Sequence, residues 1–204
     1  MDREAHPRPD SKGAQTRRSI LDAAIARFGR DGYRSTSVAD IARDAGVGGT
    51  VAYSYFPNKE ALFLAAVDED AAGVISEGFL PVLDDDRIED WQTQLIFSLL
   101  DVVEAHPLAR RLLAGLEPEV TVRVLGIPTL AEVRKLCAER LRADQLAGTV
   151  SHDIGPDTIA NGLVGMTLSI LMSVVQVGGD ITSSYADDVV AVISVALDPP
   201  ERPS

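Results

Sequence analysis

Between Thr158 and Gly179 the chain runs for 22 residues without a charged side chain. A stretch of that length either crosses a bilayer or lies inside a helical protein. Its polar content argues against the bilayer: Asn161, Gln176, four glycines and several Ser and Thr interrupt it, and no flanking Lys/Arg cluster sets an orientation. Asn161, Gly165, Ser169 and Ser173 recur every four residues, with Met166, Ile170 and Val174 beside them. As a helix the segment carries a small-residue stripe that another helix can approach closely. A helix apolar on nearly every side is expected to be sandwiched in a core or a subunit interface. A last helix over residues 184–197 offers Val189, Val192, Ile193 and Ala196 as a packing face. Two such helices from each of two copies make a four-helix, two-fold interface.

Helical periodicity governs the remainder, and no alternating strand pattern competes with it. Ile20, Ala24 and Phe28 form the stripe of a first helix expected from Thr16 to near Gly32. Ser37 to Asp40 reads as a capping box that opens a short second helix, and Gly46 supplies the left-handed residue that ends it. A third short helix is expected from about Gly49 to Phe56, stopped by Pro57. Asn58 caps a long fourth helix carrying Leu62, Phe63, Ala66, Val67, Ala71 and Val74, expected to reach about Gly78. Further helices are expected over Trp91 to Ala105, Leu108 to Leu116 and Leu130 to Leu146, while Gly115 to Ile127 has no clear period.

Residues 1–14 mix Pro7, Pro9, Gly13 and charges, which reads as a mobile arm, and their polar character offers no export leader. The only cysteine, Cys137, excludes an intrachain disulfide and a thiolate-rich metal site, so a cytoplasmic location is expected. Charge is divided unevenly. Residues 1–60 hold ten Lys/Arg against eight Asp/Glu, whereas residues 61–204 hold nine against twenty-three, within a net charge of -12. A mildly basic head beside an acidic body orients itself on a polyanion, with the body repelled.

Two short helices joined at Ala45-Gly46-Val47 after a preceding helix fit a helix-turn-helix, whose second short helix enters the major groove. Many helical domains contain such a corner for structural reasons alone. The run from Thr16 to Phe63, above all TSVADIARDAGVGGTVAYSYFPNKEALF, resembles the amino-terminal domain of the TetR family of transcriptional regulators. The match rests on a capped helix with Ile-Ala, then Ala-Gly-Val, Tyr-x-Tyr-Phe and Asn-Lys-Glu-x-Leu, and covers about a quarter of the chain. It implies an all-α protein with a three-helix helix-turn-helix domain at residues 15–60. A larger helical ligand-binding and dimerisation domain follows at 61–198, with a flexible tail at 199–204.

The resemblance implies site roles. Tyr53, Tyr55 and Lys59 are expected to hold phosphates, with Thr36 and Ser37 on the other flank; for Ser37, capping alone explains the residue equally well. Base reading falls to Gly49, Thr50, Val51 and Ser54, with Ala52 and Phe56 pointing inward. That set has no Arg, Asn or Gln for bidentate base contacts, so specificity is expected to lean on DNA shape and on the arm. It also departs from the common family pattern, in which a capping Ser or Thr follows Ala-Gly-Val and Gly occupies the position of Thr50. Arg17 and Arg18 are expected near the backbone; Arg3, Arg8 and Lys12 read more simply as solvated charge.

The expected partners are double-stranded DNA, a second copy of the chain bound through the last two helices, and a small-molecule effector, with no membrane and no cofactor. The effector pocket is expected between Trp91 and Val177, where Trp91, Phe97, Cys137, Met166 and Met172 offer apolar lining and His106, Asn161 and Gln176 polar groups; core packing explains each of these as well. An enzyme is disfavoured because His6, His106, His152 and Cys137 show no metal-ligand spacing and no phosphate-cradling loop or nucleophile elbow is present. A protein-interaction module using the same corner is the other alternative, and salt-dependent duplex binding separates the two.

Overall fold

The computed structural model describes residues 12–85, 88, 91–118, 126–178, 188 and 191–192, and the described elements are helical. The expected last helix at 184–197, most of the arm, the tail at 199–204 and residues 119–125 lie outside the described residues, a few positions excepted.

Helix α1 spans Lys12–Ser35, four residues earlier than the apolar stripe marks. Its regular part ends where expected: Gly32 has φ 82°, and beyond it the chain turns toward α2. Helix α2 spans Val38–Asp44, and Ser37 Oγ accepts from Asp40 N at 3.1 Å. The hydroxyl also donates to Asp40 Oδ2 at 2.7 Å, so the cap closes side chain to side chain. Gly46, at φ 68°, and Val47 close the helix end by donating to Arg43 O and Ala42 O, the paired pattern of a left-handed helix stop.

Helix α3 spans Gly49–Tyr55 and α4 spans Lys59–Val74, where Asn58 Oδ1 accepts from Ala61 N at 2.7 Å. A π-helical turn at Ile75–Phe79 joins α4 to α5, Leu80–Leu83. Pro81 explains the widened turn, because it has no N–H to continue the ladder. Helices α6 (Trp91–Val103), α7 (Pro107–Leu113), α8 (Pro128–Ala147) and α9 (Pro156–Val177) complete the described body.

Two cores share α4. The head core joins Ile20, Phe28, Ile41, Ala52, Phe56, Leu62 and Phe63, and it also takes Leu108 and Leu112 from α7. Phe28, Tyr33 and Phe63 stack within it, with Phe28 and Phe63 edge to face at 5.0 Å. The body core gathers Phe79, Trp91, Leu95, Cys137, Leu141 and Leu163. The boundary expected at residue 60 therefore falls at the start of a helix whose first two turns are head core. Head and body meet closely: a Cβ added at Gly29 of α1 would lie 2.8 Å from Pro107 Cβ. Glu117 Oε1 accepts from Tyr33 N at 3.1 Å and from Arg111 Nε at 2.7 Å, tying α1 to α7.

Helix α9 is only partly covered within a single chain. It is long and apolar enough to cross a membrane, but Ala160, Leu163, Val164, Thr167, Ile170 and Leu171 are buried within the protein. In one copy it is not buried on nearly every side, since Asn161, Gly162, Gly165, Met166 and Ser169 are exposed. The small-residue stripe thus lies on the outward face, and the larger apolar residues between its members do the packing.

Candidate nucleic-acid interface

The second short helix of the head is held out from the core by a single buried contact face. Ala52 is sealed and Phe56 nearly so, while Gly49, Thr50, Val51, Tyr53 and Ser54 are exposed. One side of α3 is therefore anchored by a methyl group and a ring, and the opposite side is free to meet a duplex. Tyr53 is 54% exposed; Tyr55 is half-buried and packs on the head core, leaving its ring less free than that of Tyr53. Ser54 Oγ donates to Val51 O at 2.6 Å, so base contact by that hydroxyl competes with a local bond.

Lys59 lies at the first position of α4. Its Nζ sits 4.5 Å from the centroid of the Tyr33 ring and donates to Arg34 O at 3.2 Å. Burial pushes its ammonium pKa below the ordinary lysine value. The cation is thus already positioned at the helix start, the end at which backbone N–H groups favour an anion. Ser37 is exposed at the start of α2, as expected.

Thr36 lies beneath that surface. Its side chain is 3% exposed, and its hydroxyl donates to Gly32 O at 2.8 Å. That bond satisfies a carbonyl at the end of α1, so Thr36 shapes the α1–α2 corner and does not share the surface of Ser37.

Most arginines of the head are engaged within it. Arg27 grips Asp44 through two bonds, Nε–Oδ2 at 2.6 Å and Nη2–Oδ1 at 3.0 Å, and pins the end of α2 to α1. The Asp44 carboxyl is held below its ordinary pKa by that hydrogen bond, and Asp40 is lowered by Ser37 first and Arg43 second. Arg18 bridges Asp22 and Glu69, and the Arg17 guanidinium lies 5.4 Å from the centre of the Phe56 ring. The arginines nearest the candidate interface therefore set the angle of the short helices as well as carrying charge.

Gly48 occupies the cap position of α3 at φ -70°, ψ 146° and contributes no side-chain cap bond. A Cβ there would meet only Val51 Cγ2, at 3.9 Å. Gly48→Ser is expected to raise stability by about 0.5–1 kcal/mol, through a new cap bond and a less flexible unfolded chain. Urea unfolding of the two proteins at equal concentration measures it; a loss of stability would mean that α3 needs the glycine backbone.

Against this geometry, a profile of the bacterial regulatory proteins of the tetR family matches residues 20–66, which span the exposed face of α3 and its supports. The head of the chain is a TetR-family helix-turn-helix domain. A helix-turn-helix transcriptional regulator of Bacillus subtilis (strain 168), itself uncharacterised, is 25% identical over 93% of this chain and 96% of its own length. A helix-turn-helix transcriptional repressor of Streptomyces coelicolor is 35% identical over 48% of this chain and 47% of its own length. The crystal structure of a putative TetR-family regulator from Mesorhizobium loti superposes with a TM-score of 0.68 and 25% identity, covering 93% of this chain and all of that one. Like the regulators it resembles, the chain is a DNA-binding transcriptional regulator.

The body of the chain holds a cavity of about 130 Å³ between α4, the π-helical turn and α6 to α9. Val67, Ala71 and Val74 of α4 form one wall, and Leu163, Thr167 and Leu171 of α9 another. None of the side chains expected to line a pocket does so. Trp91 and Cys137 are sealed in the body core, and burial raises the Cys137 thiol pKa to about 12. Phe97, Asn161 and Met166 face outward, and Gln176 donates to Leu113 O at 2.8 Å. His106 is buried against Asp70, with Nδ1 3.0 Å from Asp70 Oδ1. Asp70 also accepts from Leu108 N at 3.0 Å and Ala109 N at 2.8 Å, fastening the start of α7 to α4. Sequence reasoning passed over Asp70, although a carboxylate on the apolar stripe of α4, three residues after Val67, signals a buried partner.

Proposed function

We propose that the protein is a repressor that binds a palindromic operator as a homodimer and is released by a small molecule. The observation that carries this reading is the course of α4, which starts beside α3 at Lys59 and forms a cavity wall with Val67, Ala71 and Val74. A ligand in the body that tilts α4 would move the reading head and change the distance between two heads, which breaks simultaneous engagement of both half-sites.

In this reading the head, residues 15–60, reads DNA, and residues 61–198 sense and dimerise. Thr50, Val51 and Ser54 read bases, aided by close backbone approach at Gly49. Tyr53, Tyr55, Lys59 and Ser37 hold phosphates. With no Arg, Asn or Gln on the exposed face of α3, sequence preference leans on duplex shape and on the arm. The outward face of α9, around Gly162, Gly165 and Ser169, is the dimer surface together with the segment at 184–197. The acidic body and the single buried thiol fit a cytoplasmic protein.

Selecting bound duplexes from a random pool tests the proposal. The expected operator is palindromic, with half-site centres about 35 Å apart or a multiple of that distance. Its affinity should fall steeply as salt rises. Asymmetric or absent selection, or a monomeric protein in solution, overturns the reading.

A further inference from the structure

Glu117 follows α7 and lies outside the head, yet its side chain is built into the head. The residue is 8% exposed. Its Oε1 accepts from Arg111 Nε at 2.7 Å and from the backbone N–H of Tyr33, 84 residues earlier, at 3.1 Å. Gly32, at φ 82°, leaves room for the pair: a Cβ there would lie 2.5 Å from Arg111 Nη2 and 2.6 Å from Glu117 Oε1. Taking two charges out of water is costly, and packed aliphatic side chains would join α1 to α7 at least as well. A carboxylate at this place therefore needs a reason beyond cohesion.

The corner that Glu117 grips carries two of the groups proposed to hold phosphates. Tyr33 presents its ring to Lys59 Nζ at 4.5 Å, and the next carbonyl, Arg34 O, accepts from that ammonium at 3.2 Å. Thr36 bonds back to Gly32 O, and Ser37 then opens α2 at the surface. Partial burial pushes Lys59 toward its neutral form, and the negative charge of Glu117 acts against that push. We infer that Glu117 is a positioning residue for DNA binding: through Tyr33 it fixes the α1–α2 corner and, with it, the Lys59 ammonium that meets a phosphate. Its own charge is kept from the duplex by burial and by the Arg111 guanidinium. The inference deepens the proposed function and rests on it for Lys59 as a phosphate holder.

Binding of the full chain to a duplex of random sequence, followed from low to moderate salt, tests this without requiring an operator. Each lost phosphate contact flattens the plot of log affinity against log salt by about 0.9. Lys59→Met is expected to flatten it by about that much per head and to weaken binding about tenfold at low salt. Replacing the buried pair together, Arg111→Met with Glu117→Met, keeps volume and strands no charge, so the melting temperature should stay close to the parent's. The slope and the affinity should nevertheless fall as they do for Lys59→Met. Added to Lys59→Met, the paired change should weaken binding less than about twofold further, because both act through one ammonium. Glu117→Gln keeps an acceptor for Tyr33 N–H and should bind within about threefold of the parent, even if it melts lower. The parent's slope in the paired variant, full additivity with Lys59→Met, or Glu117→Gln binding no better than the paired variant each overturns the inference. The two readings fail separately: an unchanged slope for Lys59→Met overturns the proposed phosphate contact, whereas a flattened slope there beside an unchanged one for the paired variant overturns only the role of Glu117.

Discussion

Asp70→Ala is expected to lower the free energy of unfolding by about 3–5 kcal/mol, the scale of leaving several buried hydrogen-bond donors without a partner. The carboxylate is 5% exposed and accepts three hydrogen bonds, from the His106 ring and from the backbone N–H groups of Leu108 and Ala109. Truncation leaves those two N–H groups and the imidazole facing an interior without water, and each unsatisfied buried group costs about 1–3 kcal/mol. Neighbouring residues cannot make up the loss. Glu77 lies 3.6 Å from His106 Nε2, on the other side of the ring, and Gly73 is so close that an added Cβ would run into the imidazole. Asp70→Asn keeps one acceptor oxygen and should lose less than half as much. Urea unfolding at fixed protein concentration reads both variants as shifts in midpoint with unchanged slope. A loss below about 1 kcal/mol for Asp70→Ala would mean that α7 docks on α4 through apolar packing alone.

That junction also marks where reading from sequence stopped. The caps at Ser37 and Asn58 and the left-handed stop at Gly46 depend on residues within a few positions of each other, so their chemistry was legible before any packing was known. The outward and inward faces of α3 were implied by the family resemblance and not by local chemistry. Helix α1 begins at Lys12 and not at Thr16 because its first turn is polar and carries no apolar period to read. Asp70 and His106 lie 36 residues apart and meet only when α7 folds across α4. The cavity wall is likewise assembled from α4, the π-helical turn and four later helices, with no local pattern of its own. On α9 the small-residue stripe was the visible period, whereas the cavity belongs to the face that includes Leu163, Thr167 and Leu171.

The interface itself yields an effect of opposite sign on folding and on binding. Thr50→Glu is expected to reduce operator affinity at least 100-fold while leaving the protein as stable or slightly more so. Thr50 is exposed at the second position of α3, after a Gly48 cap that provides no side-chain oxygen. The N–H groups of that first turn lack side-chain partners, and a carboxylate beside them stabilises a helix start by about 0.3–1 kcal/mol. Against a duplex the same carboxylate meets phosphates. A cost of roughly 1.5–2 kcal/mol per head, incurred twice in a dimer, accounts for the hundredfold loss. Thr50→Gln has the same length without the charge and should bind far better than Thr50→Glu, so the pair isolates electrostatics from shape. Fluorescence anisotropy with the selected operator, alongside thermal melts, reads both effects. If Thr50→Glu binds within about threefold of the parent, α3 does not face the duplex, because a like charge placed twice against phosphates cannot be that inexpensive at moderate salt.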